Sequence, residues 1–387
     1  MPLQLGQVSR QIEAMAREQK AEERQRHLRL ARELLRSLDP AAIRARLADK
    51  ATQTPWTAAK PLGALNGAFP TPAAPADFSV AAADGSSMGP DRHFPIRYYV
   101  LNVGYAMLTY GSQPAARLDS RGRLYHRGEE VYISYRHRTQ PVEGAILSAK
   151  MIVEELKALL EVAQAAPRPV VALTDGVIIL WGLQGVDAEV RAEFLSPFLE
   201  TLGRFREAGI PVADYISLPN AHDVVNALRL GVCDQRPIEC ARCAHHAEGK
   251  EPVCAPLVGI PDRQVFDYLK AGERSDLFES TAPILKNYGE HGIGFFYLNV
   301  GDEMARVEAP LWVLNDRAQL DLVHALVVDQ CRRGRGYPPA LQEAHEQAVI
   351  TTGDRAVVEE MIDKALGRQG VILPWSAKER SKRERGI

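Results

Sequence analysis

The spacing of apolar and polar residues changes along the chain, and the first change separates a helical start from an extended segment. Residues 7–50 are rich in Ala, Leu, Arg, Glu and Gln, with almost no turn-forming residues before Asp39-Pro40. This composition predicts an N-terminal helical extension (1–50) of two charged helices, separated near residues 37–40. Residues 51–77 carry five prolines among Ala, Thr and Gly. They predict an extended linker or a wrapping arm.

From Phe78 onward, short continuous apolar runs alternate with amphipathic stretches, which is typical of buried strands and covering helices. Strands are expected over residues 78–84, 96–110, 130–135, 170–175 and 211–218, and helices over residues 144–163, 187–208 and 220–230. The second and third strands are expected to form a meander. This order predicts an α/β fold, a mixed sheet flanked by helices. It is similar to the ribonuclease H-like arrangement, in which the first and fourth strands lie side by side.

The C-terminal third continues the same domain. Residues 294–300 and 305–314 predict an antiparallel strand pair, and helices are expected around 318–332, 339–350 and 355–366. We therefore expect one domain over 78–350, with a cysteine-containing insertion at 232–256. A C-terminal helix and a polar, net basic, disordered tail follow over 351–387.

Composition limits the function only broadly. The 387 residues are 46% hydrophobic and 25% charged, the profile of a globular protein. No apolar stretch is long enough to span a bilayer, and the first residues lack the pattern of a signal peptide. These features predict a cytoplasmic protein with no membrane association. The net charge of -2 means that any phosphate-binding surface must come from local clusters of arginine.

Two of the apolar runs end in the same dipeptide, Asp84-Gly85 and Asp175-Gly176. We interpret each as a strand that delivers an aspartate to its carboxyl end, where the glycine turns the backbone away. If the two strands are neighbours, their carboxylates meet at one sheet edge and can hold divalent metal ions. Such ions beside a phosphodiester make a nuclease or a phosphotransferase. The alternative is a plain turn, which a single Asp-Gly usually forms.

Two further segments supply candidates for the same site. In the helix between the aspartates, Glu155 directly precedes the apolar-stripe residue Leu156, but the adjacent Glu154 is an alternative and both can be solvated. Near the C-terminus, Tyr337-Pro338 predicts a turn into a helix that carries His345. A lone histidine on an apolar face is more often a packed core residue than a catalyst.

Four of the five cysteines lie close together in the sequence, whereas Cys331 stands apart. These insertion cysteines are Cys233, Cys240, Cys243 and Cys254. In a reducing compartment such clustering favours metal ligation over disulfides. The Cys-x2-Cys pair suits tetrahedral zinc, with His245 and His246 as alternative ligands. An iron–sulfur cluster also uses four thiolates, and the spacing does not separate the two. Unligated cysteines are the third alternative.

Taken in order, these motifs resemble the NurA family of prokaryotic nucleases, which work with the HerA translocase in DNA end processing. The matching segments are Ala-Ala-Ala-Asp84-Gly85-Ser86, Glu155-Leu-Lys-Ala-Leu, Leu173-Thr-Asp175-Gly176, Asp214-Tyr-Ile-Ser217, Arg306-Val-Glu308-Ala-Pro310-Leu-Trp312-Val313, and Tyr337-Pro338 through Leu341-Gln-Glu-Ala344-His345. The resemblance extends from about residue 78 to about residue 350. One Asp-Gly-Ser is a weak signal, but the ordered set is specific.

The resemblance implies a manganese-dependent deoxyribonuclease, with magnesium as an alternative ion, that acts as a single-stranded endonuclease and a 5′–3′ exonuclease in DNA double-strand break processing. Asp84, Glu155 and Asp175 would be metal ligands. His345 and Tyr337 would complete the site, with His345 as a further ligand or as a proton donor. The family also implies a homodimer docked on a hexameric HerA ATPase. The insertion cysteines depart from the family's minimal pattern.

The competing interpretation is a non-catalytic DNA-end or translocase-binding subunit on the same fold. The carboxylates, the histidine and the tyrosine are all present, which favours the enzyme. The near-neutral charge favours an enzyme that receives DNA from a motor partner, and it predicts weak, salt-sensitive DNA binding by the isolated protein.

Overall fold

The computed structural model describes residues 4–18, 21–89, 96–176 and 178–370. Its N-terminal segment contains the helices α1 (Leu5–Glu18), α2 (Ala21–Ser37) and α3 (Pro40–Ala48). The predicted break near residues 37–40 is confirmed. There the Asp39 carboxylate accepts a hydrogen bond from the Ala41 amide, and Pro40 occupies the first turn of α3. Residues 19–20, inside the first predicted helix, lie outside the described residues.

Residues 51–77 wrap along the domain as an arm. The arm contributes two short strands, β1 (Lys60–Pro61) and β2 (Ala68–Phe69), to the main sheet. Ala58, Ala59 and Leu65 of the arm are buried in a core cluster that also includes residues of α2, α3 and helix 223–232. The prolines therefore shape a packed segment, since they fix an extended backbone that follows the surface of the domain.

The central part of the chain alternates strands and helices, as the apolar pattern predicts. The elements in chain order are β3 (Phe78–Met88), β4 (Tyr99–Tyr110), β5 (Ala115–Tyr125), α4 (Gly128–Val131), β6 (Tyr132–Tyr135), β7 (Arg138–Pro141), α5 (Ala145–Ala165), β8 (Val170–Thr174), α6 (Ala188–Glu207), β9 (Val212–Ile216) and α7 (Asp223–Val232). The three long helices of this part were predicted within a few residues of their observed bounds.

The C-terminal part adds a second group of strands and the helices that cover them. Its elements are α8 (Ala244–Ala247), β10 (Arg274–Ser275), β11 (Phe278–Glu279), β12 (Ile293–Asn299), β13 (Met304–Pro310), α9 (Leu311–Leu314), α10 (Arg317–Arg333), α11 (Pro339–Ala348) and α12 (Thr352–Arg368). The predicted antiparallel pair is confirmed as β12 and β13. The predicted basic tail at 378–385 lies outside the described residues.

All of these strands except β6 and β7 form one mixed sheet in the order β1-β11-β12-β13-β9-β8-β3-β4-β5, in which β10 also pairs with β12 and β2 pairs with β10. β3 pairs with β4 in antiparallel orientation and with β8 in parallel, and β9 continues the parallel arrangement. The run β5-β4-β3-β8-β9 is the predicted ribonuclease H-like arrangement. The predicted contact between the strands that lead to Asp84 and Asp175 is confirmed.

The third strand of the meander was predicted wrongly. Residues Tyr132–Tyr135 form a separate hairpin with β7, and β5 is the strand that pairs with β4. Every residue of β5 except Tyr125 is exposed. Because β5 is an edge strand with solvent on both faces, it lacks the apolar alternation by which strands are recognised.

The expectation of a turn at Asp84-Gly85 is also wrong. β3 continues through both residues to Met88, and Gly85 pairs with Val103 of β4. At the second copy the turn is confirmed, because β8 ends at Thr174 and Gly176 has a φ of +74°. The same dipeptide therefore lies inside a strand in one copy and ends a strand in the other.

Helices cover both faces of the sheet. The core on one face includes residues of α5 and α6, and the core on the other includes residues of α10 and α11. Apolar residues of α12 pack near Met88 and Tyr98. Among the described residues, no helix has the length and apolar character needed to cross a membrane.

Candidate active site

The open edge of β3 begins where its pairing with β8 stops. That pairing ends at Ala82 and Leu173, two residues before Asp84. The Asp84 carboxylate accepts a hydrogen bond from the Gly85 amide at 2.8 Å through Oδ1, and from Nδ1 of His345 at 2.6 Å through Oδ2. The unequal length of the two strands therefore exposes a carboxylate at the carboxyl end of β8, where ligands of α/β sheets commonly bind.

Asp175 follows the last residue of β8 and is exposed to solvent. The Tyr337 hydroxyl donates a hydrogen bond to its Oδ2 at 2.8 Å, and the Tyr337 ring packs edge-on against Tyr215. Desolvation raises the pKa of Asp175, the Asp84 carboxylate adds to this rise, and the Tyr337 hydroxyl and His345 oppose it. The two predicted aspartates thus lie within electrostatic range of each other.

Glu155 reaches the same place from α5 and is 2% exposed. A Cβ at position 85 would overlap its carboxylate, so the glycine provides the space that the glutamate occupies. Burial raises the pKa of Glu155 to about 8, and the carboxylates of Asp84, Asp214 and Asp175 add to the shift. The adjacent Glu154 instead forms ion pairs with Lys150 at 3.1 Å and Lys157 at 3.2 Å.

His345 is held at Asp84 by close packing between α11 and β4. Gly104 lies opposite Asp84 in the strand register, and a Cβ there would overlap backbone atoms of Ala344 and Ala348. The Asn102 side chain donates hydrogen bonds to the carbonyl oxygens of Gln347 at 3.0 Å and Ala348 at 2.9 Å. Helix α11 therefore lies directly on the strand, and the His345 side chain stays 67% exposed at its edge.

Asp214 belongs to one of the motifs that resemble the family, although it was not predicted as a site residue. It lies on β9 with 1% exposure and accepts a hydrogen bond from the Thr174 hydroxyl at 2.7 Å. Its charge contributes to the raised pKa values of Glu155 and Tyr337. The available signal was an aspartate in the middle of an otherwise apolar five-residue strand.

These side chains have the chemistry of a site for a hard divalent cation. Manganese binds carboxylate oxygen and imidazole nitrogen, and a cation here would relieve the repulsion that raises the pKa of Glu155. Within the described ranges, no three Asp, Glu, His or Cys side chains are already placed to hold one ion. The hydrogen bonds from His345 and Tyr337 each use one oxygen of Asp84 and Asp175, and they orient carboxylates that keep lone pairs for an ion.

Comparison with protein families identifies the domain that carries this geometry. A family model described as the NurA domain matches residues 78–350. The chain belongs to the NurA family. In this NurA-family protein the matched range begins with the first residue of β3 and ends two residues after α11. It therefore contains all of the predicted site residues and the cysteine insertion, and it leaves out α1, α2, α3 and α12.

The solved structures that resemble this NurA-family protein include the NurA nuclease from Sulfolobus solfataricus. The two chains share 16% identity over 75% of this chain and 85% of that one, with a TM-score of 0.48. A structure of NurA with manganese shares 14% identity over 76% of this chain and 90% of its own, with a TM-score of 0.34. No curated protein matches the sequence.

Proposed function

We propose that this NurA-family protein is a metal-dependent DNA nuclease that hydrolyses phosphodiester bonds at the open end of β8. The observation that supports it is the meeting of carboxylates from three separate elements beside one histidine. Asp84 comes from β3, Glu155 from α5 and Asp175 from the end of β8. The charges of both aspartates raise the pKa of Glu155, and Asp84 also raises the pKa of Asp175. A structural role does not require four acidic side chains, including Asp214, to repel one another at one sheet edge.

Manganese is the proposed ion, and magnesium is the alternative. Asp84, Glu155 and Asp175 would hold it, and the buried Asp214 adds negative charge nearby. His345 is the alternative further ligand, through the same Nε2 that would otherwise carry a proton. When bound, such ions lower the pKa of an attacking water and stabilise the charge on the leaving oxygen. Glu155 must lose its proton to act as a ligand, and neighbouring Gly85 leaves room for its carboxylate.

His345 and Tyr337 are the proposed proton-handling and orienting residues. The Nδ1–H of His345 donates to Asp84, which fixes the ring and leaves Nε2 as the atom that can exchange a proton. Nε2 donates only when the imidazole is doubly protonated, so the imidazolium would protonate the leaving oxygen. Tyr337 holds Asp175 through its hydroxyl, which limits the rotation of that carboxylate.

The finer parts of the proposal concern substrate and partners. We infer cleavage of single-stranded DNA within the strand and 5′–3′ digestion from ends, in the processing of double-strand breaks by a homodimer with a hexameric HerA-type ATPase. The net charge of -2 supports delivery of DNA by a motor, because a protein without excess positive charge has little long-range electrostatic attraction for DNA.

The test is digestion of end-labelled single-stranded and double-stranded DNA with Mn²⁺, with Mg²⁺ and with no metal, each with and without the ATPase. We expect cleavage that requires a divalent ion. Asp84→Asn should lower the rate by about 10³-fold or more, whereas Asp329→Asn, which removes a surface ion pair with Arg333, should not. Circular dichroism checks that both variants fold. An inactive wild-type protein under every condition would instead support the non-catalytic DNA-end or translocase-binding subunit.

A further inference from the structure

The cysteine insertion has almost no core of its own. Between Cys233 and Pro256, Ile238 is the single buried residue. The segment contains only short helical pieces, among them α8 and the turns Cys240–Arg242 and Ala255–Leu257. Segments with so little buried apolar surface are usually held by disulfides or by a metal. All four insertion cysteines are free thiols in the structure.

The four thiols line one cavity of about 170 Å³. They reach it from different local elements, because Cys233 directly follows α7, Cys243 precedes α8, and Cys254 directly precedes the turn Ala255–Leu257. Burial raises the pKa of Cys240, and the thiols of Cys254, Cys233 and Cys243 add to that shift. Residues that are up to 21 positions apart in the sequence therefore face the same small space.

Two guanidinium groups lie near the four thiols. Arg229 lines the cavity and opposes the rise in the pKa of Cys240, and Arg46 lies within electrostatic range of Cys233. A divalent ion with four thiolates carries a net charge of about -2, which neighbouring guanidinium groups offset. His245 is already bound, since its Nε2 lies 3.0 Å and 2.9 Å from the two carboxylate oxygens of Asp234.

We propose that the insertion cysteines form a four-thiolate metal centre that fastens the insertion to the end of α7. The occupant is a zinc ion or an iron–sulfur cluster, both of which use this ligand set. In the described residues no three such side chains are already gathered around one ion. The thiols line the cavity wall, and loading would deprotonate them and draw them inward.

The centre is structural, and its presence does not depend on the nuclease proposal. Cys233 and Cys240 pack against the core cluster that joins α2, α3 and α7, so the bound metal would link the insertion to the N-terminal helices. Neither Asp84 nor Glu155 lines the cavity that the four thiols share. Asp84→Asn should therefore keep the metal of the insertion, whatever that variant does to DNA cleavage.

The test begins with the full-length protein, purified without oxygen and treated with a mild chelator to remove weakly held ions. We expect about one zinc per chain, or iron with an equal amount of acid-labile sulfide and a visible absorbance band. The double variant Cys240→Ser/Cys243→Ser should lose this metal and unfold at a lower temperature. Cys331→Ala removes a cysteine outside the cluster and should keep the metal.

A second measurement covers the case in which the double variant does not fold. Titration of the wild-type protein with a mercurial reagent should release the metal as the insertion thiols react. Zinc and iron–sulfide analyses distinguish the two occupants, and either supports the centre. The proposal is overturned if the folded wild-type protein carries no such metal and its four thiols react freely or form disulfides. It is also overturned if the double variant keeps the full metal content.

Discussion

Nδ1 of His345 lies 2.6 Å from Oδ2 of Asp84, although 261 positions separate the two residues in the chain. The contact depends on two other features of the fold. β3 extends past the end of β8, which leaves the Asp84 carboxylate open, and α11 lies against Gly104 directly opposite Asp84. The candidate site is therefore fixed by strand length and by helix-to-strand packing as much as by the polar residues themselves.

Replacing His345 tests whether it supplies a proton. We expect His345→Gln to lower kcat on DNA by about 10² to 10⁴-fold, the usual contribution of a general acid. The same variant should lose far less on a nitrophenyl phosphodiester, because that leaving group departs without a proton. His137→Gln, in an exposed turn, is the control. An equal loss on both substrates would contradict proton transfer and would indicate a ligand or binding role.

Glu154 and Glu155 are neighbours on α5, so the same substitution at each position tests which of them is the metal ligand. Glu155→Gln should abolish DNA cleavage, whereas Glu154→Gln should remain active and lose no more than about 1 kcal/mol of stability, because it removes only partly exposed helix-surface ion pairs. Cleavage rates and urea unfolding of the two variants provide the comparison. If Glu154→Gln is the inactive variant, the assignment of the helix ligand is wrong.

The raised pKa of Glu155 predicts that the stability of the metal-free protein depends on pH. The pKa of this glutamate is raised from 4.5 to about 8, so the folded state favours the protonated form. Its contribution to stability is then complete below pH 4.5 and is lost as the pH rises from there through about 8. In EDTA, Glu155→Gln should therefore unfold at a higher temperature than the wild type at pH 9, and this advantage should shrink toward pH 5. A constant difference across that range would contradict the raised pKa.

Much of this fold can be predicted from the sequence, because its central strands and helices have distinct apolar patterns. The strands that lead to Asp84 and Asp175 are continuous apolar runs, and the helices between and after them have clear apolar faces, so their order predicts the sheet. β5 was missed because solvent covers both of its faces. The choice between Glu154 and Glu155 depends on the exact rotation of α5, which periodicity does not fix.

Other parts of the site depend on contacts between distant residues. The sequence predicts a turn at Gly85 and an ordinary strand position at Gly104, and only the packed structure shows that Glu155 lies over the first and α11 over the second. Asp214 stands out in the sequence as an aspartate in an apolar strand, but only the pairing of β9 with β8 places it beside the site. Local patterns therefore predict the carboxylates at strand ends better than the glycines that make room for their partners.

Gly104 allows α11 to lie close to β4, and this close approach places His345 beside Asp84. Gly104→Ala should push α11 away from β4, destabilise the protein by about 1–3 kcal/mol and lower cleavage activity, because His345 then moves from Asp84. Gly122→Ala lies on the neighbouring strand, where, among the described residues, an added Cβ would meet only Asn102 Oδ1, at an ordinary contact distance of 3.8 Å, and it should change stability and activity little. Urea unfolding and cleavage rates measure both effects. Equal behaviour of the two variants would mean that α11 does not need this close approach.

A buried ion network near the middle of the sheet should control stability without touching the chemistry. Arg306, which is 2% exposed, bonds to Glu308 at 2.7 Å and to Asp223 at 2.7 Å. Arg306→Met should destabilise the protein by about 3–5 kcal/mol at pH 7, because it leaves buried carboxylates without their cation. Arg206→Met removes an exposed pair with Glu290 and should cost at most about 1 kcal/mol.

The pH dependence of the Arg306 variant follows from its partners. Burial raises the pKa of Glu308, and the guanidinium of Arg306 opposes this rise. Without that cation the carboxyl favours its protonated form even more strongly, so acid conditions should relieve the penalty. The difference in unfolding free energy between Arg306→Met and the wild type should therefore be largest at neutral and alkaline pH and should decrease as the pH falls toward 5. Urea titrations at several pH values measure it. A deficit that is independent of pH would show that Arg306 acts through packing rather than charge.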